Sequence, residues 1–122
     1  MKKNDIEISS QLLEVSKNFV GKVGDTGSLK KLLFMAVIAW NISIQHPGDE
    51  RVQIQSFIKK YRFEYPDMGD LILLKLEEDM VSMANARKEL YPEILSLIKD
   101  LDVKPQPDGS NYIEVSAVRP TV

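Results

Sequence analysis

The sequence predicts an α+β domain: about four helices forming a body, followed by a C-terminal antiparallel β-hairpin. Three observations lead there. Apolar residues recur every three or four positions up to about residue 95, the period of amphipathic helices. From Leu97 the period shortens to two, the period of strands. Between the two alternating runs lies Pro105-Gln106-Pro107-Asp108-Gly109-Ser110-Asn111, dense in turn formers.

The first helix is expected from about Asp5 to Val20. Asn4 can cap it, with Glu7 in the capping-box position, and Ile8, Leu12, Val15, Phe19 and Val23 give it one apolar face. Gly21, Gly24 and Gly27 then break the pattern. Ser28 is placed to cap a second helix from Leu29 to about Gln45. Its stretch Leu32 to Trp40 is nine residues long and apolar on every side. That is far short of the roughly 20 residues needed to span a bilayer, so it reads as the central element of a core.

His46-Pro47-Gly48 is a turn, and Asp49 is placed to cap a third helix with Ile54, Phe57, Ile58 and Tyr61 as its stripe. Tyr65-Pro66 ends it, because a residue before proline avoids the helical region. Asp67 is expected to cap a fourth and longest helix, from Met68 to about Tyr91, with Ile72, Leu76, Met80, Met83, Arg87 and Leu90 as its inner seam. Beyond Pro92, the stretch 93–101 reads either as a continuing helix or as the first strand. Tyr112 to Val118 alternates and is rich in β-formers, so the hairpin is placed at about 97–118 and the helical body at about 5–95. No linker or repeat divides the chain, and 1–122 is read as a single domain.

The totals narrow the function classes. With 16 basic and 18 acidic residues the formal charge is −2, and a dedicated nucleic-acid binder normally carries a basic excess. There is no cysteine, which excludes disulfides, thiol catalysis and thiolate metal sites and fits a reducing compartment. No apolar core follows Lys2 and Lys3 as a signal peptide requires. The expected setting is the cytoplasm, with no membrane contact.

No constellation argues for catalysis, a metal or a cofactor. The glycine-spaced stretch Gly21 to Ser28 lacks the P-loop and dinucleotide patterns, leaving at most an anion site at the amides of Ser28 and Leu29. His46 is the only histidine, whereas triads and zinc sites need partnered ones. Glu77-Glu78-Asp79 reads as a solvated face. Lys59, Lys60 and Arg62 interleave with Phe57, Tyr61, Phe63 and Tyr65 in the manner of a nucleic-acid surface, although Phe57 and Tyr61 also fit a core stripe.

Two features suggest contacts with proteins. Met68, Met80 and Met83 lie on or near the seam of the long helix, and methionine adapts to varied partners. The hairpin's apolar positions fall on both faces, with Leu101, Val103, Ile113 and Val115 against Ile98, Tyr112 and Val118. A lone hairpin is marginal unless both faces find cover. The expectation is therefore a non-catalytic interaction or regulatory module, self-associating as a homodimer or binding another protein. Its expected interface is Leu101, Val103, Tyr112, Ile113, Val115, Met80 and Met83. The alternative is a small-ligand-binding protein or small enzyme whose pocket is lined by Trp40, Tyr61 and methionines.

The segments Ala39-Trp40-Asn41-Ile42-Ser43 and Ile98-Lys99-Asp100-Leu101-Asp102-Val103, with the turn and strand that follow, resemble a group of small uncharacterised prokaryotic proteins. The resemblance supports the order of helices then hairpin, and it implies no activity.

Overall fold

A computed structural model describes residues 3–21 and 26–118, and the side chains of these except residues 3–7, 18 and 26–28. The order is α1 (Lys3–Val20), α2 (Thr26–Gln45), α3 (Glu50–Glu64), α4 (Asp70–Leu90), β1 (Leu97–Pro105) and β2 (Asn111–Val118). Four helices are followed by a two-stranded antiparallel sheet, as the change of period predicts. The Asn4–Glu7 capping box, Val23, the Ser28 cap and most of the glycine-spaced stretch fall outside the described side chains.

The apolar helix α2 is the hub. It packs against α1, α3, α4 and β1, and Leu33, Ala36, Ala39 and Trp40 are wholly buried. Around it gather Ile8 and Leu12 of α1, Ile54 and Ile58 of α3, and Leu73, Met80, Met83 and Ala84 of α4. Each of these side chains larger than alanine contributes roughly 1.5–3 kcal/mol by leaving water. α1 ends where Gly21 turns left-handed at φ 58° and its amide donates to Lys17 O at 3.1 Å, a glycine C-cap.

The caps of α3 and α4 differ from expectation. Asp49 is the N-cap residue of α3, but its carboxylate makes no capping bond and accepts from Gln53 Nε2 at 3.1 Å. Glu50 makes a different contact: its carboxylate accepts from the Gly48 amide at 2.7 Å and from Lys88 Nζ at 3.1 Å. This ties the start of α3 to the end of α4. α4 begins after Gly69, not at Met68, and turns Leu73 inward while Ile72 faces out. Leu90, also expected inside, is half exposed.

Arg87 is the main polar member of the core. Its guanidinium donates to Ser43 Oγ and Ser43 O in α2, to Tyr91 O, and to Ile94 O at 3.0 Å. It thereby joins α2, the end of α4 and the approach to β1. Burial pulls its pKa below the usual arginine value, against the pull of the Glu50 charge. Hydrogen bonds to carbonyls compensate a buried cation that lacks an adjacent carboxylate.

The hairpin is built around a β-turn in which Gly109 N donates to Gln106 O at 3.0 Å, with Pro107 in the first central position. Gly109 has φ 89°, and Asp108 accepts from both the amide and the hydroxyl of Ser110. The register pairs Val103 with Ile113, Leu101 with Val115 and Ile98 with Ala117, skipping Lys99. That bulge changes the parity of β1 and corrects the two-faced pattern read from the sequence. Ile98 joins Val103, Ile113 and Val115 on the face buried against α1 and α2. The outer face is mainly Asp100, Asp102, Lys104, Glu114 and Ser116, with Leu97, Tyr112 and Val118 interspersed.

Both strands are also held at their backbones. The Asn41 side chain donates to Ile98 O at 2.9 Å and accepts from Ile98 N at 2.8 Å. Ser9 Oγ donates to Ile113 O, and the Trp40 indole donates to Ser96 O at 3.0 Å. Such contacts occupy strand groups that would otherwise template pairing with another chain.

Candidate functional site

The surface that stands out lies among the helices. Two cavities of about 530 and 550 Å³ adjoin between α2, α3 and α4, with Phe19 of α1 also lining the first, and they share Lys31, Met35, Tyr61 and Met68. Together they form one apolar groove. Phe34 closes it on the α2 side and Tyr65 on the α3 side, while Leu71, Ile72 and Leu76 form its α4 wall.

Each wall follows from local sequence. α2 is apolar all round, but its neighbours cover only part of it, so Phe34 remains 55% exposed. In α3, Phe57, Tyr61 and Tyr65 follow one another at i, i+4, i+8, with ring centroids 6.0 and 4.7 Å apart. Neighbours four apart share a helix face. In α4 the run Leu71-Ile72-Leu73-Leu74 is apolar through a whole turn, and the core takes only Leu73. Leu71, Ile72 and Leu74 are left 83%, 62% and 57% exposed. Leu74 lines a further cleft with Ile58 and Leu73, so the α4 crest stands between groove and cleft.

Polar groups sit at the rim. Lys31 and Lys75 lie by the first cavity, Lys30 and Glu64 by the second, and Lys75 reaches Asp79 at 3.5 Å. Lys30 pairs instead with Asp102 of β1, whose carboxyl is held below its usual range by that lysine and the Val103 amide. Burial raises the Tyr61 hydroxyl pKa, with Tyr65 and Glu64 adding to the effect, so the ring presents a neutral phenol to the groove.

The residues singled out from sequence are distributed differently. Of the expected interface, Met80, Met83, Val103, Ile113 and Val115 are buried within the chain. Leu101 is partly covered, and Tyr112 lies on the outer face of the hairpin. Of the expected pocket, Tyr61 and Met68 line the groove. Trp40 is placed elsewhere, fully buried under the hairpin with its indole bonded to Ser96. The groove's α4 wall and Phe34 went unrecognised; four successive apolar residues on an otherwise amphipathic helix were the available signal.

The other candidates separate in space. Lys59 and Lys60 are exposed, and Arg62 pairs with Asp70 at 2.7 Å, whereas Phe57, Tyr61 and Tyr65 turn to the groove. Of the four aromatics only Phe63, 91% exposed, stays on the wet side of α3, one turn from Lys59 and Lys60. Glu77 and Glu78 bind Arg51 at 2.9 Å. His46 is exposed, and among the described residues no group of three or more metal-ligating side chains gathers. No described helix is long and apolar enough to cross a membrane.

No protein-family model, curated protein or solved structure matches this chain.

Proposed function

We propose that this chain is a non-catalytic interaction module whose working surface is the groove between α2, α3 and α4, which takes an apolar face of a protein partner. The observation that carries the reading is the exposure of Phe34, Leu71 and Ile72 around one continuous apolar surface. Exposed apolar patches of this kind mark binding sites when they exceed a few hundred Å². The rim lysines orient a polar or acidic edge, and the pairing of Lys75 with Asp79 supplies no activated nucleophile. A cysteine-free chain loses nothing in a reducing compartment, so the cytoplasm is the setting the proposal assumes.

The hairpin supports the reading less well than the long helix does. Its inner face is packed on α1 and α2, and Asn41 and Ser9 occupy backbone groups of both strands. A second reading, a site for a small apolar ligand, draws on the cavity volume of about 530 Å³ and on Tyr61, Met35 and Met68 in its lining. Small-molecule sites commonly occupy 300–1,000 Å³.

An environment-sensitive anilinonaphthalene dye tests for the groove. Its fluorescence should rise on adding the folded protein and return to background with Ile72→Glu, whose exposed position leaves the helical circular dichroism unchanged. Equal dye signal from the two proteins, or none from either, would overturn the proposal. A melting temperature raised by a small apolar metabolite would favour the second reading.

A further inference from the structure

Resting on the groove reading, we infer that the groove's occupant is an acidic amphipathic helix of another protein, lying with its acidic edge along α2. The walls select a helix over an extended strand. Lys31 and Met35 of α2, Phe57 and Tyr61 of α3 and Leu76 of α4 lie inside helices, where amides and carbonyls already bond one another. An extended peptide laid there finds no main-chain partners, and every amide it buries goes unpaired at a cost. A helix arrives with its backbone satisfied and offers the groove side chains alone.

The dimensions suit such a helix. The α4 wall from Leu71 to Asp79 and the α3 side from Phe57 to Tyr65 are each roughly 12 Å long at helical rise. Apolar anchors at i, i+4 and i+7 of a bound helix span about 10 Å. One anchor then falls in each cavity and one against the shared Met35 and Met68.

Charge complementarity places the acidic edge. Lys31 lines both cavities, so an occupant of either passes it, and it has no ion pair among the described residues. Lys30 stands beside it on the same rim, half exposed and tied to Asp102 at 3.3 Å. The charged groups that α2 gives the groove are therefore both lysines. On the α4 rim Lys75 and Asp79 offset each other, and Glu64 on α3 repels acids from that side. Carboxylates of the partner thus lie along α2 and away from α3. This preference opposes the chain's formal charge of −2, so bulk attraction cannot produce it.

Fluorescence anisotropy of two labelled designed peptides tests the inference. Each is a helix former of about 16 residues with leucine at the anchor positions, flanked by glutamate in one peptide and by lysine in the other. The full chain should bind the glutamate peptide several-fold more tightly than the lysine peptide, a difference that added salt narrows. Lys31→Glu, at an exposed position, should reverse that order; if it loses its helical signal, Lys31→Gln should level the two affinities. A proline at the centre of the glutamate peptide should abolish its binding. No binding of either peptide, an equal or tighter lysine peptide, a preference indifferent to both Lys31 variants, or full affinity of the proline peptide overturns the inference. If any of these occurs while the dye signal still vanishes with Ile72→Glu, the acidic helix is wrong and the groove reading stands. A dye signal indifferent to Ile72→Glu removes the groove reading itself.

Discussion

Arg87 offers the sharpest energetic test of how this fold is held together. Arg87→Met keeps most of the aliphatic stem and removes the guanidinium. Four hydrogen bonds go with it, and Ser43 O, Tyr91 O, Ile94 O and Ser43 Oγ lose a donor. A buried acceptor left unpaired costs about 1–3 kcal/mol. Water can replace the donor at Tyr91 O and Ile94 O, which are only part-buried, but not readily at Ser43 O. Relief from burying a cation works in the other direction. Replacing a whole buried ionic cluster by apolar groups can be neutral, but here the carbonyls belong to the backbone and stay behind. The net loss is therefore about 3 kcal/mol, a large share of the 5–15 kcal/mol typical of a domain. With a urea m-value near 1.5 kcal/mol/M, the unfolding midpoint should fall by about 2 M. The single tryptophan, Trp40, is fully buried and reports the transition by fluorescence. A midpoint that drops by less than about 0.5 M, or rises, would mean that desolvation of the cation outweighs its bonds, refuting this account.

Three further outcomes follow from the same geometry. Asn41→Leu deprives Ile98 of both its backbone partners, so urea unfolding should show a loss of about 2 kcal/mol. Glu50 is mostly buried, which pushes its carboxyl up, yet the Gly48 amide and Lys88 outweigh this and hold it below the ordinary value of 4.5. The unfolded chain therefore binds the proton more readily, and the stabilisation is present above that value and lost as pH falls through the lower, folded one. Urea midpoints measured from about pH 6 down to pH 3 should decline less steeply in Glu50→Gln than in the wild type. Gly109→Ala forces a side chain to φ 89°, and its melting temperature should drop by an amount matching about 1 kcal/mol.

How much of this was legible in the sequence depends on whether a residue's environment is set locally. α2 reads as the hub because an all-apolar helix has only one stable place in a small domain, and its contacts with α1, α3, α4 and β1 agree. Met80, Met83 and Arg87 were legible as seam residues from their spacing, and all three are buried. The N-terminal part of α4 was not legible. Through Leu71-Ile72-Leu73-Leu74 every direction is apolar, so periodicity cannot choose the inner face; packing chose Leu73. The bulge at Lys99 was equally hidden. Alternation along β1 alone sets Ile98 opposite Val103, and only pairing with β2 and the Asn41 side chain moves them to one face. A pocket at Trp40 was misplaced because an aromatic in an apolar run looks the same whether its indole faces a ligand or a neighbouring carbonyl.

The two apolar surfaces that the sequence left in question meet opposite treatment in the fold. On the hairpin, the bulge turns Ile98 inward, Asn41 and Ser9 bond the strand backbones, and charges occupy much of the outer face. These are the devices by which natural sheets avoid unwanted pairing. No comparable device protects the crest of α4. Leu71 is 83% exposed, and its neighbours Ile72 and Leu74 extend the apolar surface instead of interrupting it. Placing a charge at Leu71 would cost the monomer little, because an exposed surface position typically tolerates substitution within about 0.5 kcal/mol. A chain that blunts its strand edges in several ways while keeping this crest apolar gains nothing for its own core by doing so. On the proposed reading the benefit lies in a contact outside the monomer, and for that reason the proposal rests on the crest and its adjoining groove and not on the hairpin.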